Sequence, residues 1–493
     1  MTPTSQSHAS YQQFVLKQLR QHYSGGVLTL VANDWPLIAK CWITDLSVTG
    51  NFLRPHYGKR GPKPTDPDKL LRAFLVMLQT GETSITKWVD SLRRIPLYAI
   101  ISGFEPGNTP GIGTFYDFAH RFWNRDTLNL NPRQLPKRKK PKKGENKGEK
   151  SPLSIDDVYE LVQKILREGP AEQEQPFDLL FDFFQSQILS VSARLGLLGD
   201  LRALSVSGDG SPLVTSAYPR SKPACDCRAQ GLKHCDHDRL YSQPDCDSGW
   251  DSSRERYFNG YNQYVFTASS SLHDLPLFPR LFPGSRHDAV GLVISATEFL
   301  DRFSLGTVDR MILDSAHDAM GIYELLIHHD IEPFIDLNPR GGKKDPRKGE
   351  ITISPQGVPI CPIGKEMRPN GFERRTYRQK WRCPLAKGTN ISCPTPCSTA
   401  KYGRTFHTYP KENPRLFPTV PRGTKAWEMV YKRRTTVERS HKRAKIDYEL
   451  ERGKHRSTAM WYFRIYGIMM CEHIDAWYCN QKDDLNLELL IFG

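Results

Sequence analysis

The sequence is short of long apolar runs, of cysteine and of acidic charge, and each shortage excludes something. No run of apolar residues is long enough to span a bilayer, and the mean hydropathy is −0.54. The opening residues Met1-Thr2-Pro3-Thr4-Ser5-Gln6-Ser7-His8 lack a basic segment followed by an apolar core. No secretory leader is read there, and the expected location is the cytoplasm. Eleven cysteines in 493 residues are few, and they cluster. In a reducing compartment such clusters suggest metal before disulfide. Cys41, Cys471 and Cys479 stand apart and read as ordinary buried thiols. Asp and Glu number 54 against 69 Lys and Arg, a formal charge of +15. That imbalance favours a polyanionic partner but says nothing about sequence recognition or catalysis.

One strongly basic stretch is Tyr431-Lys432-Arg433-Arg434-Thr435-Thr436-Val437-Glu438-Arg439-Ser440-His441-Lys442-Arg443-Ala444-Lys445. Read as one helix, it brings Tyr431, Arg434, Glu438 and Lys445 within an arc of about 60°. A single carboxylate then shares a face with a phenol, a guanidinium and an ammonium. Such a face reads either as a solvated basic helix with one neutralising Glu, or as a metal-binding carboxylate flanked by phosphate-binding cations.

The spacing Tyr, two residues, Arg, three residues, Glu, six residues, Lys resembles the signature helix of DDE transposases encoded by bacterial insertion sequences. That resemblance implies that Glu438 is the last of three catalytic carboxylates and that two aspartates precede it, each at a strand end. Leu204-Ser205-Val206-Ser207 alternates as a half-buried strand should, and runs into Gly208-Asp209-Gly210-Ser211. Small neighbours there leave room for a metal or phosphate beside Asp209. The run from Val308 to Leu313 reads as a short strand ending in Asp314. The tetrad Asp314-Ser315-Ala316-His317 departs from the Asp-x-Gly-Tyr common in the family. Asp318 is the runner-up ligand and reads first as a helix cap; Asp288 reads as the cap of a helix over 289–303. The resemblance implies that Asp209, Asp314 and Glu438 converge to hold two Mg²⁺ or Mn²⁺ ions. It further implies that Tyr431, Arg434 and Lys445 hold DNA phosphates beside them.

Two cysteine clusters could hold structural zinc. One comprises Cys225, Cys227, His234, Cys235, His237 and Cys246; the other comprises Cys361, Cys383, Cys393 and Cys397. The spacing is irregular in both, and unpaired surface thiols are the alternative.

The expected organisation has five parts. A helical region over 1–130 reads on periodicity alone as a packing domain, and the resemblance implies that it binds DNA or dimerises. A basic linker covers 131–152, with Pro136-Lys137-Arg138-Lys139-Lys140-Pro141 at its centre. The first part of a catalytic domain covers 153–340, an insertion with the second cysteine cluster covers 341–425, and the signature helix with the rest of the catalytic domain covers 426–493. The expected fold is α/β: a ribonuclease-H-like mixed sheet, with an inserted cysteine-containing subdomain and a helical N-terminal domain. The expected partners are double-stranded DNA, as element terminal inverted repeats and as target, and a second copy of the chain on DNA, with no membrane. The protein would meet the nucleoid when acting. Two other classes remain open on the residues alone: a structure-specific DNA nuclease with the same core, and a non-catalytic DNA-binding zinc protein.

Overall fold

A computed structural model describes residues 6–58, 60–123, 154–169, 174–218, 245–338, 351–387 and 390–492, together with Pro3, Gly231 and Gln243. The expected linker and the cluster members Cys225, Cys227, His234, Cys235 and His237 lie outside the described residues.

The N-terminal part is helical because apolar residues recur at helical spacing between capping and breaking residues. Helices α1 (His8–Tyr23), α2 (Asp34–Ile43) and α3 (Thr49–Leu53) are followed by α4 (Pro67–Gln79). Asp66 precedes α4 and Pro67 opens it, and the Asp66 carboxylate pairs with Lys69 at 3.1 Å instead of capping a backbone amide. Ser84 does cap α5 (Ile85–Arg94), accepting from the Lys87 amide. Gly103, in the left-handed region, ends α6 (Pro96–Ser102), and α7 (Ile112–His120) follows. Beyond 153 come α8 (Ser154–Glu168), α9 (Asp178–Phe184) and α10 (Ser190–Arg194).

A mixed sheet follows. Strand β1 (Leu204–Val214) runs antiparallel to β3 (Arg256–Ala268), which also pairs with β2 (Asp247–Asp251) and β4 (Pro276–Pro283). On its other side β1 runs parallel to β5 (Val308–Leu313), and β5 parallel to β6 (Glu332–Ile335). Helices α11 (Asp288–Arg302) and α12 (Met320–His328) make the connections that parallel neighbours require. All of Leu204 to Ser207 is buried, so β1 is not the half-exposed strand its alternation suggested. Both faces of the sheet are covered. Phe266 packs on Phe299 of α11, while Gln263 and Val265 face the helices of the C-terminal part.

Residues 351–424 form the insertion, built from short antiparallel strands. β7 (Thr352–Ile353) pairs with β8 (Pro359–Ile360), and β9 (Arg368–Glu373), β10 (Arg378–Arg382) and β13 (Thr405–Thr408) form a three-stranded sheet. The paired stubs β11 (Ala386–Lys387) and β12 (Asn390–Ile391) lie between them. Ile351, Met367 and Trp381 give this region a small core of its own. The chain then enters α13 (Lys425–Tyr431) and α14 (Thr435–Lys442), and ends with α15 (Thr458–Gln481) and α16 (Leu487–Phe492).

The apolar residues of α15 are buried on nearly every side, as a helix enclosed in a core must be. It packs on β4 and α9 and equally on α2, α4 and α7. The N-terminal helices and the sheet therefore share one continuous core, from Tyr11 to Ile491. Cys41 and Cys471 are buried as read, whereas Cys479 is exposed because it lies on the open side of the last turns of α15. Among the described residues no helix is long and apolar enough to cross a membrane.

The tightest point of this packing is Gly467, midway along α15. A Cβ there would lie 2.7 Å from both Leu78 Cδ1 and Phe74 Cε1 of α4, and both side chains are buried. Helix propensity alone would make Gly467→Ala stabilising by about 1 kcal/mol. The collision should reverse that sign and cost about 1–3 kcal/mol. A lower denaturant midpoint is expected, and a raised midpoint would show that α4 and α15 can separate freely.

Candidate functional site

The register between β1 and β5 builds the site. Ser207 pairs with Ile312. Two residues further along each strand stand Asp209 and Asp314. The pleat gives residues two apart the same face, and adjacent strands lie about 4.8 Å apart, so the two carboxylates become neighbours. Asp314 directly follows β5, as the sequence suggested. Asp209 does not end its strand: it is the sixth residue of an 11-residue β1 and pairs with Val265 of β3. What ends near Asp209 is only the pairing with β5, because β3 is long enough to carry β1 five residues further.

The flanking glycines have a different role from the one read in the sequence. A Cβ on Gly208 would meet the Phe266 ring at 2.8 Å and the Tyr264 hydroxyl at 2.9 Å. One on Gly210 would fall 2.0 Å from Asp288 Oδ1. They make room for neighbouring side chains, and Gly210 admits a further carboxylate. Asp288 is not the cap of α11, because His287 Nδ1 takes the Ala289 amide. Its Oδ1 instead accepts from Asn262 Nδ2 at 2.6 Å.

Asp209 is thus surrounded by like charge. Burial, with the charges of Asp288 and Asp314, pushes its pKa up to about 7 against the pull of His317. Burial would raise Asp314 as well. The hydrogen bond and charge of His317, the Ala316 amide and the Arg434 guanidinium together hold it below the usual carboxylate range. His317 was read in the sequence only as a departure from the family pattern. It is fully buried, with Nδ1 2.6 Å from Asp314 Oδ1 and Nε2 3.0 Å from the Tyr264 hydroxyl. Burial alone would lower its pKa, but Asp314, Asp288 and Asp209 hold it raised. Its proton affinity is thus raised by the carboxylates that surround it.

The stretch 431–445 is not one uniform α-helix. Lys432–Arg434 is a 3₁₀ turn and Arg443–Asp447 a π turn, so the phase on which the 60° arc rested is lost on both sides of Glu438. Arg434 and Glu438 do stay together, at 2.7 Å, and Arg434 interacts electrostatically with both Asp209 and Asp314. Glu438 is half-exposed and turned toward this arginine. Tyr431 instead stacks on Trp427, which stacks on Phe334 of β6. Lys445 is not free to reach outward. Its Nζ donates to Ser211 Oγ and to the Pro212 carbonyl, both at 2.6 Å, and lies 3.6 Å from Glu451. It ties the π turn to β1 just beyond Asp209. Lys432, Arg433 and Lys442 are exposed, and Arg439 pairs with Asp274.

His441 was not singled out in the sequence, where one histidine in a basic run gives no signal. It is buried, and burial with the Lys445 charge pushes its pKa down to about 3. Its Nε2 faces the Asp209 main-chain oxygen at 3.3 Å, which requires the proton on Nε2 because a carbonyl only accepts. Asp318 is neither ligand nor cap. It is fully buried, bound by Arg415 at 2.6 Å and by the Asn338 amide at 2.9 Å, and it fastens the insertion to the sheet.

Among the described residues, no three His, Cys, Asp or Glu side chains are grouped closely enough to hold an ion. The donor set of Asp209, Asp314 and Glu438 is chemically apt for a hard divalent cation. It consists of carboxylate oxygens, and two of them crowd each other in a way that a cation would relieve. The thiols are placed differently. Cys361 lies beside the small core of the insertion, buried Cys383 packs against Gly403, and Cys393 donates to the Thr395 carbonyl. Cys397 is exposed, and Cys246 is buried with its thiol directed at Gln243. Among the described residues these thiols are not gathered into a ligand set. Comparison with protein-family models and with curated proteins gives no match.

The crowding at Asp209 has a measurable cost. Asp209 holds its proton more tightly folded than unfolded. Ionising it therefore costs nothing well below pH 4, progressively more as pH rises, and the full amount above pH 7. Asn cannot ionise. Asp209→Asn should raise the thermal midpoint of the metal-free protein by a few degrees at pH 8, and by less at pH 5. An unchanged or lower midpoint at pH 8 would show that Asp209 is not crowded.

Proposed function

We propose that the protein belongs to the class of divalent-metal-dependent enzymes that cut and rejoin DNA phosphodiesters with three carboxylates on a ribonuclease-H-like core. Within that class we infer an insertion-sequence transposase of the DDE type. It would bind element ends, cleave there, and transfer the 3′ ends to target DNA as a dimer.

The observation that carries this reading is the placement of Asp209 and Asp314 each two residues beyond the Ser207–Ile312 pair of two adjacent parallel strands, with Glu438 on a helix packed over β1. Further support comes from the strand order β4-β3-β1-β5-β6, in which three antiparallel strands precede two parallel ones. The Tyr-Arg-Glu-Lys spacing and the charge of +15 add to it.

Asp209, Asp314 and Glu438 would hold the ions. Two divalent ions bound there supply activation of the attacking oxygen and stabilisation of the leaving one. Arg434, now on Glu438, is placed to exchange that carboxylate for a DNA phosphate when Glu438 turns to metal, since a guanidinium serves either anion equally well. His317 holds Asp314 by one oxygen and leaves the other for a ligand. Lys445 fixes β1 instead of touching DNA in this arrangement. Exposed Lys432, Arg433 and Lys442 lie along the same helical segment and would neutralise phosphates without reading sequence. The attacking group is first water and then the freed 3′ hydroxyl, so no protein nucleophile is needed.

The test is metal-dependent cleavage and joining of DNA carrying the element's terminal repeats. Asp209→Asn, Asp314→Asn and Glu438→Gln should each lower cleavage about 100-fold or more while leaving end binding largely intact. Chelation should abolish the wild-type reaction, and Mg²⁺ or Mn²⁺ should restore it. Wild-type rates in any one variant would remove that residue from the site, and cleavage without joining to target would make the protein a nuclease.

A further inference from the structure

We infer that Asp475 is a positioning residue that ties the placement of the Glu438 helix to the N-terminal helices. The significance of that link rests on the function proposed above, but its existence does not.

Asp475 lies on α15, remote from the carboxylates of the site, and its two oxygens serve different parts of the chain. Oδ1 is held by the N-terminal helices: Lys40 Nζ of α2 lies 2.7 Å away, and Gln79 Nε2 of α4 donates at 3.3 Å. Lys40 also donates to Gln79 Oε1 at 2.8 Å, so the two act as one unit. Oδ2 is held by the segment that follows Glu438: Arg443 Nη2 donates at 3.4 Å, and the Tyr448 hydroxyl donates as well. Arg443 and Tyr448 bracket the π turn, and Arg443 also donates to the His273 carbonyl at 2.8 Å, in the turn between β3 and β4.

Every partner of this carboxylate is a donor. Two oxygens can accept from both groups at once, whereas an amide in the same place would set its NH₂ against one group or the other. The side chain is about three-quarters buried, so water does not replace a lost partner freely. One turn earlier on the same face, Glu472 is fully buried with Oε2 3.5 Å from Ser440 Oγ of α14, and its Oε1 has no partner among the described residues. It lines a small cavity of about 10 Å³, shared with His441 and Gln263, beneath the Glu438 helix. α14 therefore lies on an imperfectly filled bed; Arg439 ties it to Asp274, and the π turn that follows is fixed by Arg443 and Tyr448 to α15 and by Lys445 to β1. A shift of α2 or α4 changes the pull on Asp475 Oδ1 and is passed through the same carboxyl group to the π turn. Movement of the N-terminal helices on DNA or on a second copy would in this way reach Glu438.

The experiment is hydrogen–deuterium exchange across residues 435–448 in the full-length protein without DNA or metal, comparing wild type with Lys40→Met and Asp475→Asn. Lys40→Met keeps the aliphatic stem and is distant from every carboxylate of the site. Exchange in 440–448 is expected to quicken about fivefold in both variants. The double variant should add little to either single one, because the residues act in one network. Unchanged exchange in 440–448 in Lys40→Met would overturn the link, as would full additivity. In a cleavage assay the same variants should lower kcat about tenfold and raise the Mg²⁺ concentration for half-maximal rate, with the KM for DNA unchanged. A fall in thermal midpoint with neither kcat nor Mg²⁺ dependence altered would make Asp475 merely structural and overturn the positioning role. Should the wild type cleave no DNA, the proposed function fails, while the exchange measurement still decides whether the link exists.

Discussion

The parallel pairing of β1 with β5 is the constraint on which the site depends. It sets two acidic residues, 105 positions apart in sequence, on neighbouring strands at equivalent points of the pleat. Like charges brought together in a part-buried position are costly, and the surroundings offset that cost in two ways. Asp314 receives the His317 imidazole and a backbone amide; Asp209 receives neither in equal measure and keeps its proton to higher pH. The two neighbouring carboxylates are thus pushed in opposite directions.

The second constraint is α15. A helix buried along most of its 24 residues cannot belong to a surface layer. It joins the N-terminal helices to the sheet in one core, so the chain has no simple seam between its helical part and its sheet. The insertion is the exception. Its small core of Ile351, Met367 and Trp381 stands apart, and it is fastened to the sheet by the buried Asp318–Arg415 pair. A buried ion pair whose removal leaves an uncompensated charge is a strong tether, whatever its net contribution to stability.

The stretch 431–445 shows how a motif can be correct in spacing and misleading in geometry. The pairing of Arg434 with Glu438 was legible because it spans one helical turn within α14 and its edge. The position of Lys445 was not. Seven residues separate it from Glu438, and a π turn intervenes; whether a turn is α or π depends on where Arg443, Lys445 and Tyr448 find partners, and those lie on β1, α15 and the β3–β4 turn. His441 was equally hidden, since only its placement beneath Asp209 distinguishes it from any other histidine in a basic run.

What the sequence determined by itself follows from local chemistry. Local residue spacing marked the strands that lead to Asp209 and Asp314 and the helical segment around Glu438, because each depends on neighbours within a few positions; their choice as candidate carboxylates followed from the family resemblance. The tertiary structure alone decided everything that depends on pairing between distant segments. Asp209 lies inside a strand because β3 outlasts β5. Gly208 and Gly210 make room for Tyr264, Phe266 and Asp288 instead of for solvent. Asp288 and His317 became parts of the site, and Asp318 a buried tether, because packing set their partners. A residue's type fixes which bonds it is able to make, but only the fold fixes which donors and charges surround it.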